Sequence, residues 1–331
     1  MNKSSWQLNW PLIGQDKVIS FLEKSILADK VVQTYVFSGP KDLGKSSVAS
    51  AFARNLWQKD LGDKEETFNL DSFSSDVYVL EKLLDKRQIG IDQVRDFNER
   101  LGLSSFFNSY KIGIIKDAQY LGQDAQNALL KTLEEPREKV IIILLTENHQ
   151  SLLPTIISRS QVLYFYPTSY DIVYNYLLSN VEIERSLAKD LAAAASGRPL
   201  RALKWAEDNN LYQELILKVS QAFEFINSDL SARLNMIEEI FGKKPDNDLV
   251  WSYIEQWELL WRDALLLSLG LSDRLSYPNY LNKWRDKMKI EEGNGYHQRS
   301  VKALKSLQQA KTYLTGSINL KNILENLAFH F

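Results

Sequence analysis

Tyr35-Val36-Phe37-Ser38-Gly39-Pro40-Lys41-Asp42-Leu43-Gly44-Lys45-Ser46 is the stretch on which the reading of this chain turns. A short β-branched and aromatic run reads as a strand, and the residues after it spell G-x-x-x-x-G-K-S. A helical pattern follows, through Leu56. Strand, glycine-bounded loop and helix in that order are the context the pattern requires. The glycines let backbone N–H groups wrap phosphates, and the helix N-terminus adds the positive end of its dipole. Lys45 would meet the β- and γ-phosphates and Ser46 would ligate magnesium. The candidate nucleotide-binding residues are therefore Gly39, Pro40, Lys41, Asp42, Leu43, Gly44, Lys45, Ser46 and Ser47, with ATP or ADP as ligand.

Outward from this loop, short apolar runs alternate with helical patterns, the signature of a parallel sheet with crossover helices. The expected strands are Tyr35 to Ser38, Val77 to Leu80, Lys111 to Ile115, Val140 to Leu145 and Gln161 to Phe165. After Pro167 the strand-like runs stop and apolar residues fall at helical spacing. The expected fold is α/β followed by all-α. It consists of a nucleotide-binding domain over residues 1–168, a small helical unit over 169–212 and a helical region over 213–331. In the second, the alanine-rich Leu187 to Ala195 is closed by Ser196, Gly197 and Pro199. In the third, Val250, Tyr253, Ile254, Trp257, Trp261, Ala264 and Leu265 form one stripe. A second stripe, Ala303 to Leu314, ends at Gly316, and a third begins after Asn319 with Ile323, Leu324 and Leu327. Gly270 to Gly295, with its Gly, Asn, Pro and mixed charges, reads as a long connection inside this region.

Composition removes whole classes of function. With 331 residues, 44% hydrophobic and 25% charged, the chain has material for more than one core. It has no cysteine, which excludes disulfides, thiolate nucleophiles and Cys-based zinc sites, and its three histidines lie far apart. The longest apolar run, Val140 to Leu145, is far too short to span a membrane, and Met1 to Gly14 lacks the apolar stretch of a secretory signal, so a cytoplasmic location is expected. A net charge of −2 lacks the basic excess of a general DNA binder, so any DNA contact would be local or shared with partners.

Phosphoryl chemistry needs a second element, a strand ending in an acid that holds magnesium and is usually followed by a catalytic glutamate. Lys111-Ile112-Gly113-Ile114-Ile115-Lys116-Asp117 supplies the strand, but Lys116 stands where the magnesium-holding Asp belongs and Asp117 where the glutamate belongs. An ammonium there would repel a divalent ion. In a shifted register Asp117 would face the magnesium, followed by Ala118 and Gln119 with no catalytic acid. If Lys116 itself fills the cation position, the loop is a relic.

Several further segments carry a resemblance. Asn127-Ala128-Leu129-Leu130-Lys131-Thr132-Leu133-Glu134-Glu135-Pro136 looks like the N-A-L-L-K-T-L-E-E-P helix of bacterial clamp-loader ATPases. Leu153-Pro154-Thr155-Ile156-Ile157-Ser158-Arg159-Ser160 resembles their L-P-T-I-x-S-R-C segment, with Ser160 where Cys is usual. Ile13-Gly14-Gln15-Asp16 is similar to the family's [IV]-G-Q-[ED] and Ile91-Asp92-Gln93-Val94-Arg95 to its I-D-x-[IV]-R. Gly197-Arg198-Pro199-Leu200-Arg201-Ala202-Leu203 resembles the lid stretch G-S-P-G-R-A-L, and Asn319 to Leu327 the end of the collar helix. The chain thus resembles the AAA+ clamp-loader family of bacterial DNA polymerase III.

That resemblance implies a AAA+ P-loop domain, a helical lid and a helical collar that assembles with gamma or tau and delta subunits. It implies action on the sliding clamp and primed DNA through the assembled complex, with no membrane partner. Arg201 falls in the sensor-2 position, with Arg198 as its competitor, Thr146 in the sensor-1 region, and Arg159 in the position of an arginine finger acting in trans on a neighbour's ATP. The hydrolysing gamma subunits keep an intact acid pair and a four-cysteine zinc module. This chain has neither, which implies a subunit that does not hydrolyse ATP itself and carries no zinc. The alternative is an ATP-hydrolysing gamma/tau-like subunit.

Overall fold

In the computed structural model, the structure describes residues 8–11, 14–61, 76–83, 86–105, 109–135, 137–290, 295–314 and 318–331. Ile13, Pro136, Gly316 and most of the cysteine-free stretch between Trp57 and Val77 lie outside them. Two compact units are present: residues 1–176 with 197–201, and residues 177–196 with 202–331.

The first unit runs α1 (Asp16–Leu27), β1 (Thr34–Ser38), α2 (Lys45–Leu61), β2 (Val77–Leu80), α3 (Ile91–Gly102), β3 (Lys111–Ile115), α4 (Gln123–Glu134), β4 (Val140–Thr146), α5 (Pro154–Ile157) and β5 (Gln161–Tyr164), then enters α6 (Tyr170–Asn180). The five strands pair in parallel in the order β2-β3-β4-β1-β5. All five expected strands are present, each within a residue of its expected ends. They were legible because a parallel sheet is covered on both faces, so its strands are near-continuous apolar runs. Alternate residues serve opposite faces. Tyr35, Phe37, Ile141, Ile143 and Leu145 join one buried cluster with α1 and α2, while Val36, Ile142 and Leu144 join another with α3 and α4. Gly113 lets α3 approach the sheet, since a Cβ there would lie 2.4 Å from the Phe97 ring.

The second unit is all helical: α7 (Arg185–Ala194), most of α8 (Pro199–Glu207), α9 (Asn209–Asn227), α10 (Leu230–Phe241), α11 (Asn247–Ser268), α12 (Leu281–Ile290), α13 (Gly295–Leu314) and α14 (Leu320–His330). Ser196 and Gly197, both at positive φ, close α7 as the stop signals predicted. Helix α9 runs across position 212, where the sequence suggested a junction. The stripe on α11 is buried as expected from Val250 to Ala264, with Leu265 half-buried, and Asn319 caps α14 by accepting from the Lys321 N–H. Tryptophans 257, 261 and 284 are fully buried in one core with Phe225, Phe241 and Phe331. The segment Gly270 to Gly295 departs from expectation, because it contains α12. The buried Trp284 and the partly buried Met288 are a short apolar pattern among charged residues, too little periodicity to show in the sequence.

Candidate functional site

The phosphate-loop residues emerge from β1, an interior strand between β4 and β5, and turn into α2. Gly39 has φ 155 and Gly44 φ 85, and a Cβ at Gly39 would meet the Phe165 carbonyl oxygen at 2.3 Å. Only glycine fits Gly39 against the neighbouring chain. The Gly39 N–H donates to Thr146 O at 3.1 Å, fixing the start of the loop to the end of β4. Leu43 is buried and anchors the loop's crest, while Ser46 is exposed in the first turn of α2. Lys45 folds over the loop and donates to Gly39 O and, at 2.6 Å, to Pro40 O. Burial pushes its ammonium down to about 8, against the opposing pull of Glu147, Asp117 and Asp42 and with a further push from Lys41.

Charges from other elements surround this loop. Glu147, just past β4, lies 3.5 Å from the Lys41 ammonium. Burial works against the charge on Lys41, but Glu147, with Tyr120 and Asp117, outweighs it and holds the Lys41 pKa above its ordinary value. Gln119 donates to Glu147 Oε1 at 3.3 Å and to Asp117 Oδ1 at 3.4 Å. Asp42, at φ 62, pairs through Oδ2 with Arg201 Nε at 3.5 Å, and the Leu200 N–H donates to Asp42 O. The structure thus brings Arg201, the sensor-2 candidate, to the loop. Thr146 is buried and its hydroxyl donates to Asn148 O at 3.0 Å.

Lys116 is turned away from this cluster. Its backbone N–H donates to Leu80 O, and its ammonium pairs with Glu81 just after β2, on the outer side of β3. Lys116 thus stands at the position of the expected carboxylate with a partner of its own, Glu81. Asp117, at φ 50, is the acid after β3 that acts on Lys45. Among the described residues no group of three or more His, Cys, Asp or Glu could hold a metal ion by itself, and no helix is long and apolar enough to cross a membrane.

Arg159 follows α5, whose proline at the first turn and fully buried Ile156 fix the segment. The Leu153 N–H donates to Gln126 Oε1 on α4 at 2.8 Å, and Ser160, in place of the family's Cys, donates to Ile156 O at 2.7 Å. The guanidinium is exposed, bonded to Thr155 O at 3.2 Å and to Glu134 Oε1 at 3.0 Å. The sequence offered the loop by its own pattern and Arg159 by resemblance. The pairs Lys41–Glu147, Asp42–Arg201 and Glu134–Arg159 join residues distant in sequence and have no signal in a single chain.

A G-x-x-x-x-G-K-S loop leading out of an interior strand of a five-stranded parallel sheet, followed by an all-helical region, is the fold of AAA+ proteins. The family model described as DNA polymerase III, delta subunit, matches residues 14–169. The chain is 25% identical over 323 residues to the DNA polymerase III delta' subunit of Bacillus subtilis, covering 95% of this chain and 94% of that one. It is 32% identical over 176 residues to the delta' subunit of Haemophilus influenzae, 52% of this chain and 54% of the other. It is 31% identical over 224 residues to the tau subunit of Bacillus subtilis, 64% of this chain but 39% of tau. The chain is thus similar to clamp-loader subunits of bacterial DNA polymerase III, over nearly its whole length in the case of one delta' subunit.

Proposed function

We propose that the chain is the delta-prime-type subunit of the clamp loader, a AAA+ protein that binds nucleotide without turning it over and supplies Arg159 to a neighbouring subunit's ATP. The observation that carries this reading is the likeness to a delta' subunit along 95% of this chain and 94% of that one, where the likeness to tau covers 64% of this chain and 39% of tau. In the proposed division of labour, residues 1–168 form the nucleotide domain, 169–212 the lid and 213–331 the collar that joins gamma or tau and delta. The sliding clamp and primed DNA are reached through that assembly.

The loop residues suit a nucleotide. Gly39 and Gly44 free backbone N–H groups at the head of α2, Lys45 exchanges two carbonyls for phosphate oxygens, Ser46 offers its exposed hydroxyl to magnesium, and Arg201 stands beside Asp42. Bound magnesium would offset the phosphate charge. A catalytic base is what the site lacks. Asp117 and Glu147 are both tied to Gln119, and Glu147 to Lys41 as well. The acids so close to Lys45 favour one second reading, an ATP-hydrolysing gamma/tau-like subunit. One experiment separates the two. The purified chain, mixed with gamma or tau and delta, should co-elute as a complex that loads clamps, while alone it should show no ATP hydrolysis above background. Turnover by the chain alone favours the second reading, and failure to assemble removes the clamp-loader role.

A further inference from the structure

We infer that Glu134 is the positioning residue for Arg159, holding its guanidinium in a fixed outward pose for a neighbour's phosphate. The inference rests on the finger reading above. Glu134 is the last residue of α4, where the unsatisfied carbonyls carry the negative end of the helix dipole. A carboxylate there is unfavourable for the helix itself, and Glu135 adds a second. What Glu134 gains in return is Arg159 Nη2 at 3.0 Å, while Nη1 of the same guanidinium donates to Thr155 O at 3.2 Å. Two partners on different nitrogens fix the plane of the group as well as its position. A guanidinium has five N–H donors, so three remain for an incoming anion.

Both side chains stay accessible, with 40% of the Arg159 side chain and 51% of that of Glu134 exposed to solvent. A pair this exposed contributes little to folding. Its value lies in removing the rotamer freedom of a long side chain before the phosphate arrives, which is how pre-ordering helps a transition-state contact. The platform is rigid, since α4 also grips the Arg159 segment through Gln126, which accepts from the Leu153 N–H and donates to Ser151 O.

The test is a double-mutant cycle in the complex assembled with gamma or tau and delta, reading kcat and KM of DNA-stimulated ATP hydrolysis. Glu134→Gln is expected to lower kcat by roughly two- to five-fold, no further than Arg159→Ala does, with KM for ATP unchanged. Glu134→Lys, which repels the guanidinium, should deepen the loss. In the Arg159→Ala background Glu134→Gln should have no further effect. Equal losses in both backgrounds, or an unchanged or raised kcat for Glu134→Gln while Arg159→Ala lowers it, overturn the inference and leave the finger intact. An unchanged rate for Arg159→Ala removes the finger itself and the inference with it.

Discussion

Asp263 is a carboxylate with no solvent exposure, set within the apolar stripe of α11 between Trp261 and Ala264. It accepts from the Ser276 N–H at 2.8 Å and the Tyr277 N–H at 2.9 Å, so it also ties down the chain between α11 and α12. Burial pushes its pKa up to about 6, against the opposing effect of the two backbone N–H donors and Arg262. In the unfolded chain an ordinary Asp titrates near 3.9. The folded state therefore holds this proton more tightly than the unfolded state. The contribution of the site is greatest below about pH 4 and is lost as pH rises through 6. A shift of about two units corresponds to about 3 kcal/mol. Asp263→Asn removes the titration. Urea unfolding is followed by tryptophan fluorescence from pH 4 to 7 for both proteins, with Trp257, Trp261 and Trp284 reporting on this unit and Trp57 on the first. The stability of the wild type relative to Asp263→Asn should fall by about 2 kcal/mol across that range, the rest of the effect lying below pH 4. A difference that is flat or rises with pH refutes the reasoning.

Two other consequences can be checked with the chain alone. Lys45→Ala should weaken binding of labelled ATP by at least about ten-fold, because the charge-assisted contact to the phosphates is gone, and equal affinity would make the loop a relic. Arg233, 7% exposed, donates to Phe225 O, Ile226 O and Ala328 O and so closes the C-terminal ends of α9 and α14. Arg233→Met keeps the length of the side chain but strips those donors. It should cost on the order of 3 kcal/mol in the same urea experiment, and a loss near zero would show that the carbonyls find other partners.

The sheet and its loop were legible because their signals are local. Val140 to Leu145 is apolar throughout since both faces of β4 are covered, and glycines 39 and 44 are demanded by backbone angles that few other residues adopt. The helices α11, α13 and α14 showed themselves through repeating apolar positions. Helix α12 stayed hidden because only Trp284 and the partly buried Met288 mark its apolar face among charged residues. The site was half legible. Lys45 and Arg159 are named by their motifs, but what each touches depends on where β4, α4 and the start of α8 bring Glu147, Glu134 and Arg201. Lys116 shows the same limit, since its sequence position suggested a cation beside the metal, and only the pairing of β3 with β2 puts its ammonium against Glu81.

The central claim is that a subunit without turnover of its own contributes a guanidinium to hydrolysis next door. Arg159→Ala, and equally Arg159→Lys, which keeps the charge but loses the planar fork, should leave assembly with gamma or tau and delta unchanged. At matched assembly both should lower DNA-stimulated ATP hydrolysis and clamp loading. The loss is expected to be partial, because one ATP site of several would adjoin this subunit. Wild-type rates of hydrolysis and clamp loading in the complex carrying Arg159→Ala would contradict the claim and leave Arg159 a surface arginine paired with Glu134.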